Sequence, residues 1–115
     1  VGLSDVAASG LSIRAPERNL GGGRIIEDGG ELQTIRGDDA LAGKQVDFIK
    51  MDIEGMELRA LAGLEQTIAR CRPVMFIEVD NANAKEFHDW VAAKEYRVET
   101  SFRRYRSNVN YLVIP

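Results

Sequence analysis

The chain has 115 residues, 44% hydrophobic and 29% charged, the makeup of one globular domain with room for a modest core. Its 18 acidic and 15 basic residues leave a net charge of −3, which excludes a general electrostatic pull toward nucleic acid. A single cysteine, Cys71, excludes a disulfide framework or thiolate cluster within the chain, and no apolar run approaches the roughly 20 residues that cross a membrane.

The opening VGLSDVAASG has no basic leader before an apolar stretch, so no secretion signal is expected and a reducing cytoplasm is the expected setting. Glycine, serine and aspartate dominate up to about Gly43, a loosely organised region in which Val1–Leu3, Leu11–Arg14, Arg24–Ile26 and Leu32–Arg36 are predicted as short strands. Gly21, Gly22 and Gly23 lie between them without the preceding strand and following helix of a nucleotide-binding turn, and read as a flexible turn.

From Val46 the pattern sharpens into a compact β-α-β-α-β-β order that runs to the end of the chain. Val46, Phe48, Ile49, Met51 and Ile53 predict an interior parallel strand covered on both faces by helices. Gly55 permits a sharp exit, and Leu58, Leu61, Leu64 and Ile68 recur at helical spacing up to Arg72, where Pro73 stops the helix. Val74–Val79 is a second buried strand. Ala84, Phe87, Trp90 and Val91 then predict a helix over Asn83–Lys94 with its aromatic face on the sheet. Tyr96–Thr100 and Asn108–Ile114 are joined by SFRRYRSN, too short for a crossover helix, and read as an antiparallel hairpin. The expected fold class is α/β, a parallel sheet finished by an antiparallel pair, in a single domain over 1–115.

Chemistry-bearing residues gather where the first strong strand gives way to its helix. Lys50 and Asp52 share a strand face and Glu54 follows the strand end, a place where α/β sheets bind ligands. An ion pair between Lys50 and Asp52 is expected. Lysine there can orient an anionic or hydroxyl-bearing substrate, while the carboxylates can accept a hydroxyl proton or bind a hard cation. Glu57 is explained by the helix dipole alone. Glu78 and Asp80 end the next strand and come beside the first acidic turn if the two strands are neighbours. His88, on the helix away from any strand end, reads as a surface histidine, Cys71 as a small apolar filler, and Arg103, Arg104 and Arg106 around Tyr105 as a solvated loop.

The stretch VDFIKMDIEGMELRALAGLEQTIARCRPVMFIEV resembles the second half of the FkbM-type methyltransferases, in which a K-x-D-x-E-G-x-E turn leads through a helix and a proline to a strand ending in glutamate. Lys50, Asp52, Glu54, Gly55, Glu57, Leu61, Gly63, Pro73 and Glu78 carry the resemblance. VGLSD, LQTIRGDDAL and NYLVIP are similar more loosely, and the insertion Pro16–Gly30 has no counterpart. The resemblance implies a partial Rossmann-like sheet and an S-adenosylmethionine-dependent enzyme that methylates a hydroxyl oxygen on a sugar or natural product. It also implies that Lys50, Asp52 and Glu54 are catalytic, lining the acceptor side, and that Glu78 binds the acceptor.

The family's glycine-rich cofactor loop and second acidic strand end lie upstream of anything like VGLSD. The chain therefore reads as the C-terminal portion of such an enzyme, expected to bind S-adenosylmethionine weakly or not at all by itself. Strands left without neighbours expose a sheet edge, so self-association is expected. Two other readings stand beside this one: a non-catalytic interaction module derived from the fold, and a small Mg²⁺-dependent hydrolase built on Asp52, Glu54 and Glu78.

Overall fold

A computed structural model of the chain describes residues 2–14, 24–27 and 32–115. Val1, the Gly21–Gly23 turn and most of the Pro16–Gly30 insertion lie outside the described residues. The N-terminal region builds four strands: β1 (Gly2–Ser4), β2 (Ala8–Arg14), β3 (Arg24–Glu27) and β4 (Leu32–Arg36). They form a mixed sheet ordered β1-β4-β2-β3, in which β1 and β4 run parallel and the other neighbours antiparallel. A short helix α1 (Gly37–Ala40) follows.

The second sheet carries the motif-bearing half. Its elements are β5 (Phe48–Met51), α2 (Glu57–Gly63), α3 (Glu65–Cys71), β6 (Val74–Asp80), a 3₁₀ turn (Asn81–Asn83), α4 (Ala84–Ala93), β7 (Arg97–Phe102) and β8 (Asn108–Ile114). The order is β5-β6-β8-β7, with β5 and β6 parallel and β8 antiparallel to both its neighbours. The fold is thus mixed α/β with two mixed sheets, and the C-terminal hairpin forms as the short SFRRYRSN connection predicts.

The expectation that the first strong strand is covered on both faces is not met. β5 lies at the edge of its sheet and Phe48 is 56% exposed. The reason is topological. The crossovers β5 to β6 and β6 to β7 step in the same direction across the sheet, and right-handed crossovers that never reverse direction place their helices on one face. On that face Met75, Ile77 and Val79 of β6 are buried with Ala60, Leu61, Ile68, Phe87, Val91, Tyr111 and Val113. The alternate residues Val74, Phe76, Glu78 and Asp80 stay half-exposed on the other face, as a period of two requires.

The single helix predicted up to Arg72 is interrupted at Leu64, whose φ of −108° and ψ of 10° leave the helical region. Two contacts from far back in the chain account for the break. Gly63 packs so closely on β1 that an added Cβ would lie 2.1 Å from the Ser4 carbonyl oxygen. Buried Asp38 accepts hydrogen bonds from the Gln66 and Thr67 backbone N–H groups at 3.0 and 2.8 Å, and from Thr67 Oγ1 at 2.8 Å. These bonds occupy two of the donors that open α3, so a side chain on α1 caps a helix elsewhere in the sequence. Leu61, Leu64 and Ile68 still face the core, as the spacing predicts.

α3 ends as Pro73 demands, with Arg72 in the left-handed region at φ 50°. Its guanidinium donates to the Lys94 and Glu95 carbonyls at 2.7 and 2.9 Å and lies 4.4 Å from the Tyr96 ring centroid. Tyr96 is buried, and its hydroxyl donates to the Pro73 carbonyl at 2.7 Å. Trp90 is half-buried beside Phe87 and Tyr96, with ring centroids 6.3 and 6.0 Å away. No helix among the described residues is long and apolar enough to cross a membrane.

Candidate functional site

β5 and β6 are parallel neighbours with Met51 opposite Ile77, so one residue further on Asp52 comes opposite Glu78. The chain then turns through Ile53–Met56, closed by a bond from the Met56 N–H to the Ile53 carbonyl at 3.2 Å. Glu54 takes φ 47° and Gly55 φ 90° within this turn. Glycine adopts that conformation freely, whereas a glutamate held there carries strain of about 1–2 kcal/mol. The turn folds Glu54 back toward the strand ends, and carboxylate oxygens of Asp52, Glu54 and Glu78 all lie within 4.8 Å of one another.

Three carboxyls so close cannot all ionise without strong mutual repulsion. The effect is seen at half-buried Glu78. Burial, a hydrogen bond to Asp52 and the charges of Asp52, Glu54 and Glu57 push its pKa up to about 7, from 4.5. At neutral pH Glu78 can therefore exchange a proton with a bound hydroxyl, the property a general base needs.

Glu57, which reads from the sequence as a plain helix-dipole residue, is 1% exposed and ties the rim together. Its Oε1 accepts from the Asp80 N–H at 2.9 Å and its Oε2 from Asn83 Nδ2 at 3.4 Å. Asn83 Nδ2 also donates to the Gly55 carbonyl at 3.2 Å, so the acidic turn and the end of β6 share one network. Asp80 Oδ1 accepts from the Ala82 N–H at 3.0 Å and caps the 3₁₀ turn. Sequence signals for this network are weak, because Asn83 and Glu57 are 26 residues apart.

Glu54, Gly55, Glu57, Glu78, Asp80, Ser107 and Asn108 line a cavity of about 30 Å³. That volume holds about one or two waters. A ligand larger than that would have to lie over the rim rather than inside it. The Asn108 side-chain oxygen is buried here with no hydrogen-bond partner among the described residues, an acceptor suited to a water or hydroxyl.

Lys50 is exposed on the face it shares with Asp52, but the expected ion pair is not formed: Lys50 takes part in no ion pair among the described residues. His88 is exposed, its ring 5.1 Å from that of Tyr111, and stands outside the acidic cluster. Half-buried Cys71 rests its Sγ 3.6 Å from the Lys44 carbonyl.

None of the curated proteins and none of the solved structures compared with this chain matches it. The model of the methyltransferase FkbM domain matches residues 6–107, which include the acidic turn, the paired parallel strands and the hairpin loop beside them. A match over most of the length, with Asp52, Glu54 and Glu78 drawn to one rim, makes this chain a member of the FkbM methyltransferase family.

Proposed function

We propose that the acidic rim is the acceptor side of an S-adenosylmethionine-dependent O-methyltransferase acting on a hydroxyl of a sugar or natural product. The observation that carries this reading is the convergence of Asp52, Glu54 and Glu78, with Glu78 titrating near 7. In this reading Glu78 takes the acceptor's hydroxyl proton. Asp52 and Glu54 accept hydrogen bonds from neighbouring hydroxyls and fix the sugar's orientation. Lys50, exposed beside Asp52, steers the acceptor onto the rim. A divalent-cation hydrolase, the other chemistry these carboxylates allow, is not favoured by membership of a methyltransferase family.

The rim cavity by itself does not hold the cofactor. A nucleoside-sized ligand needs about 300 Å³ or more, and the cavity at the rim offers about 30 Å³. A separate groove of about 250 Å³ runs along Ile68, Ala69, Trp90 and Ala93 on α3 and α4 and includes none of the rim carboxylates. We therefore infer that this chain supplies the acceptor half and needs an N-terminal cofactor-binding half for activity. Calorimetric titration of S-adenosylmethionine tests this: no heat of binding is expected for the chain alone, and binding is expected once the upstream half is joined to it. Tight binding by the chain alone would overturn the division.

The role of Glu78 is tested in the joined enzyme. A positioned general base contributes about 10²–10⁴-fold to rate, so Glu78→Gln should lower kcat/KM by at least about 10²-fold while leaving S-adenosylmethionine affinity unchanged. Wild-type turnover in that variant would remove Glu78 from the chemistry.

A further inference from the structure

The loop between β7 and β8, Arg103–Ser107, is a wall of the acidic rim, since Ser107 and Asn108 line the same cavity as Glu54, Glu78 and Asp80. Its three arginines are used in two ways. Exposed Arg103 is turned onto its own loop: its Nη1 donates to the Arg106 carbonyl at 2.9 Å and lies 3.4 Å from Asn81 Oδ1. Asn81 Nδ2 donates to that same carbonyl at 2.5 Å, and the Asn81 N–H donates to the Ser107 carbonyl at 2.9 Å. The loop is thereby pinned to the residue that follows Asp80.

Arg104 and Arg106 are exposed, and among the described residues neither guanidinium makes a hydrogen bond or ion pair. Arg104 instead lies 5.4 Å from the ring centroid of Tyr105, which is 55% exposed. A pinned loop presenting an arginine stacked on tyrosine, with a second guanidinium two residues on, is preordered for a ring that bears an anion. The rim beside it has the opposite sign. An anionic group is repelled by Asp52, Glu54 and Glu78 and attracted to the loop, so the two charges together would orient an acceptor with its neutral hydroxyl at Glu78.

We propose that Arg104, Tyr105 and Arg106 recognise an anionic group, phosphate, sulfate or carboxylate, on the acceptor whose hydroxyl lies over the acidic rim. This rests on the rim's being the acceptor side, and the test separates the two. The chain is titrated with glucose phosphate, glucuronate and uncharged glucose while the arginine Nε–Hε signals are followed by NMR. Phosphate-bearing or carboxylate-bearing sugar should shift the signals of Arg104 and Arg106, the stronger of the two naming the anion, and glucose should not. The double variant R104Q/R106Q should bind the preferred sugar about tenfold more weakly with an unchanged Tm. Equal affinity in R104Q/R106Q, or no shift by either charged sugar, overturns the proposal. Tighter binding of a short single-stranded oligonucleotide than of either sugar also overturns it. Failure of the rim reading shows separately, as wild-type methyl transfer by Glu78→Gln in the joined enzyme alongside loop-dependent sugar binding.

Discussion

At the scale of single residues, the strand ends set carboxylates against one another, and the protein carries the consequence as pH dependence. Glu78 has a pKa near 7 when folded and the ordinary carboxylate value when unfolded. Between about 4.5 and 7 the folded chain holds a proton that the unfolded chain has released, so stability falls as pH rises across that window. Below it both forms are protonated and the contribution is fully present. Glu78→Gln removes the titration, so the variant should gain on the order of 1–2 kcal/mol relative to wild type between pH 5 and 8, after allowance for partial exposure. Thermal unfolding of both proteins at the two pH values measures this, and parallel pH profiles would show that the carboxyl is not raised. On the proposed role of Glu78 as base, kcat/KM of the joined enzyme should climb through pH 7, as a pH–rate profile would measure. Glu57 contributes through its hydrogen bonds, because its buried oxygens hold the Asp80 N–H and Asn83. Glu57→Ala should destabilise by about 1–3 kcal/mol by taking away the acceptor of the Asp80 N–H and leaving Asn83 Nδ2 only the Gly55 carbonyl, as denaturant unfolding would reveal.

Among the elements, local pattern is legible and long-range capping is not. The strand, turn, helix and strand from Val46 to Val79 are readable because apolar spacing and Pro73 act over a few residues. So is the hairpin, from the length of its connection alone. The break at Leu64 was hidden because its causes, Ser4 and Asp38, lie in segments whose sequence says nothing of where they dock. The same holds for Glu57, whose composition and position suit any helix start. Asp38 is a measurable case. Burial raises its pKa, but the bonds from Thr67 and Gln66, with Arg36 nearby, outweigh this and hold it below the ordinary value. Its contribution is therefore present at neutral pH and lost as pH falls through that lowered value. Asp38→Asn should cost about 1–3 kcal/mol at pH 7, with the difference shrinking below pH 3.8. Gly63→Ala drives a Cβ into the Ser4 backbone rather than into a yielding side chain and should cost at least about 1–3 kcal/mol. Urea unfolding of the two variants separates a pH-dependent cap from a pH-independent clash.

For the whole molecule, the direction in which the sheet is wound decides what remains open. Both crossovers step the same way, so all three helices α2, α3 and α4 cover one face and leave Phe48, Val74, Phe76, Leu112 and Ile114 aligned on the other. Among the described residues, β5 also has no neighbouring strand on its outer edge. Pattern alone misreads this strand as covered on both sides, although Lys50 and Asp52 alternating with Ile49 and Met51 already carry the signature of a strand with one wet face. An exposed phenylalanine on an open edge is a surface that chains tend to bury against one another, and we infer that a second copy covers it when the chain stands alone. Light scattering across a wide concentration range should then give a dimer or larger. Phe48→Glu, which places a charge on that face without touching the buried side of the sheet, should shift the population to monomer and remove the dependence of Tm on protein concentration. A wild-type monomer throughout would mean that the open face is tolerated in water. Joining the cofactor-binding half tests the same surface from the other direction: if that half docks on the β5 edge, the joined enzyme should lose both the self-association and its sensitivity to Phe48→Glu.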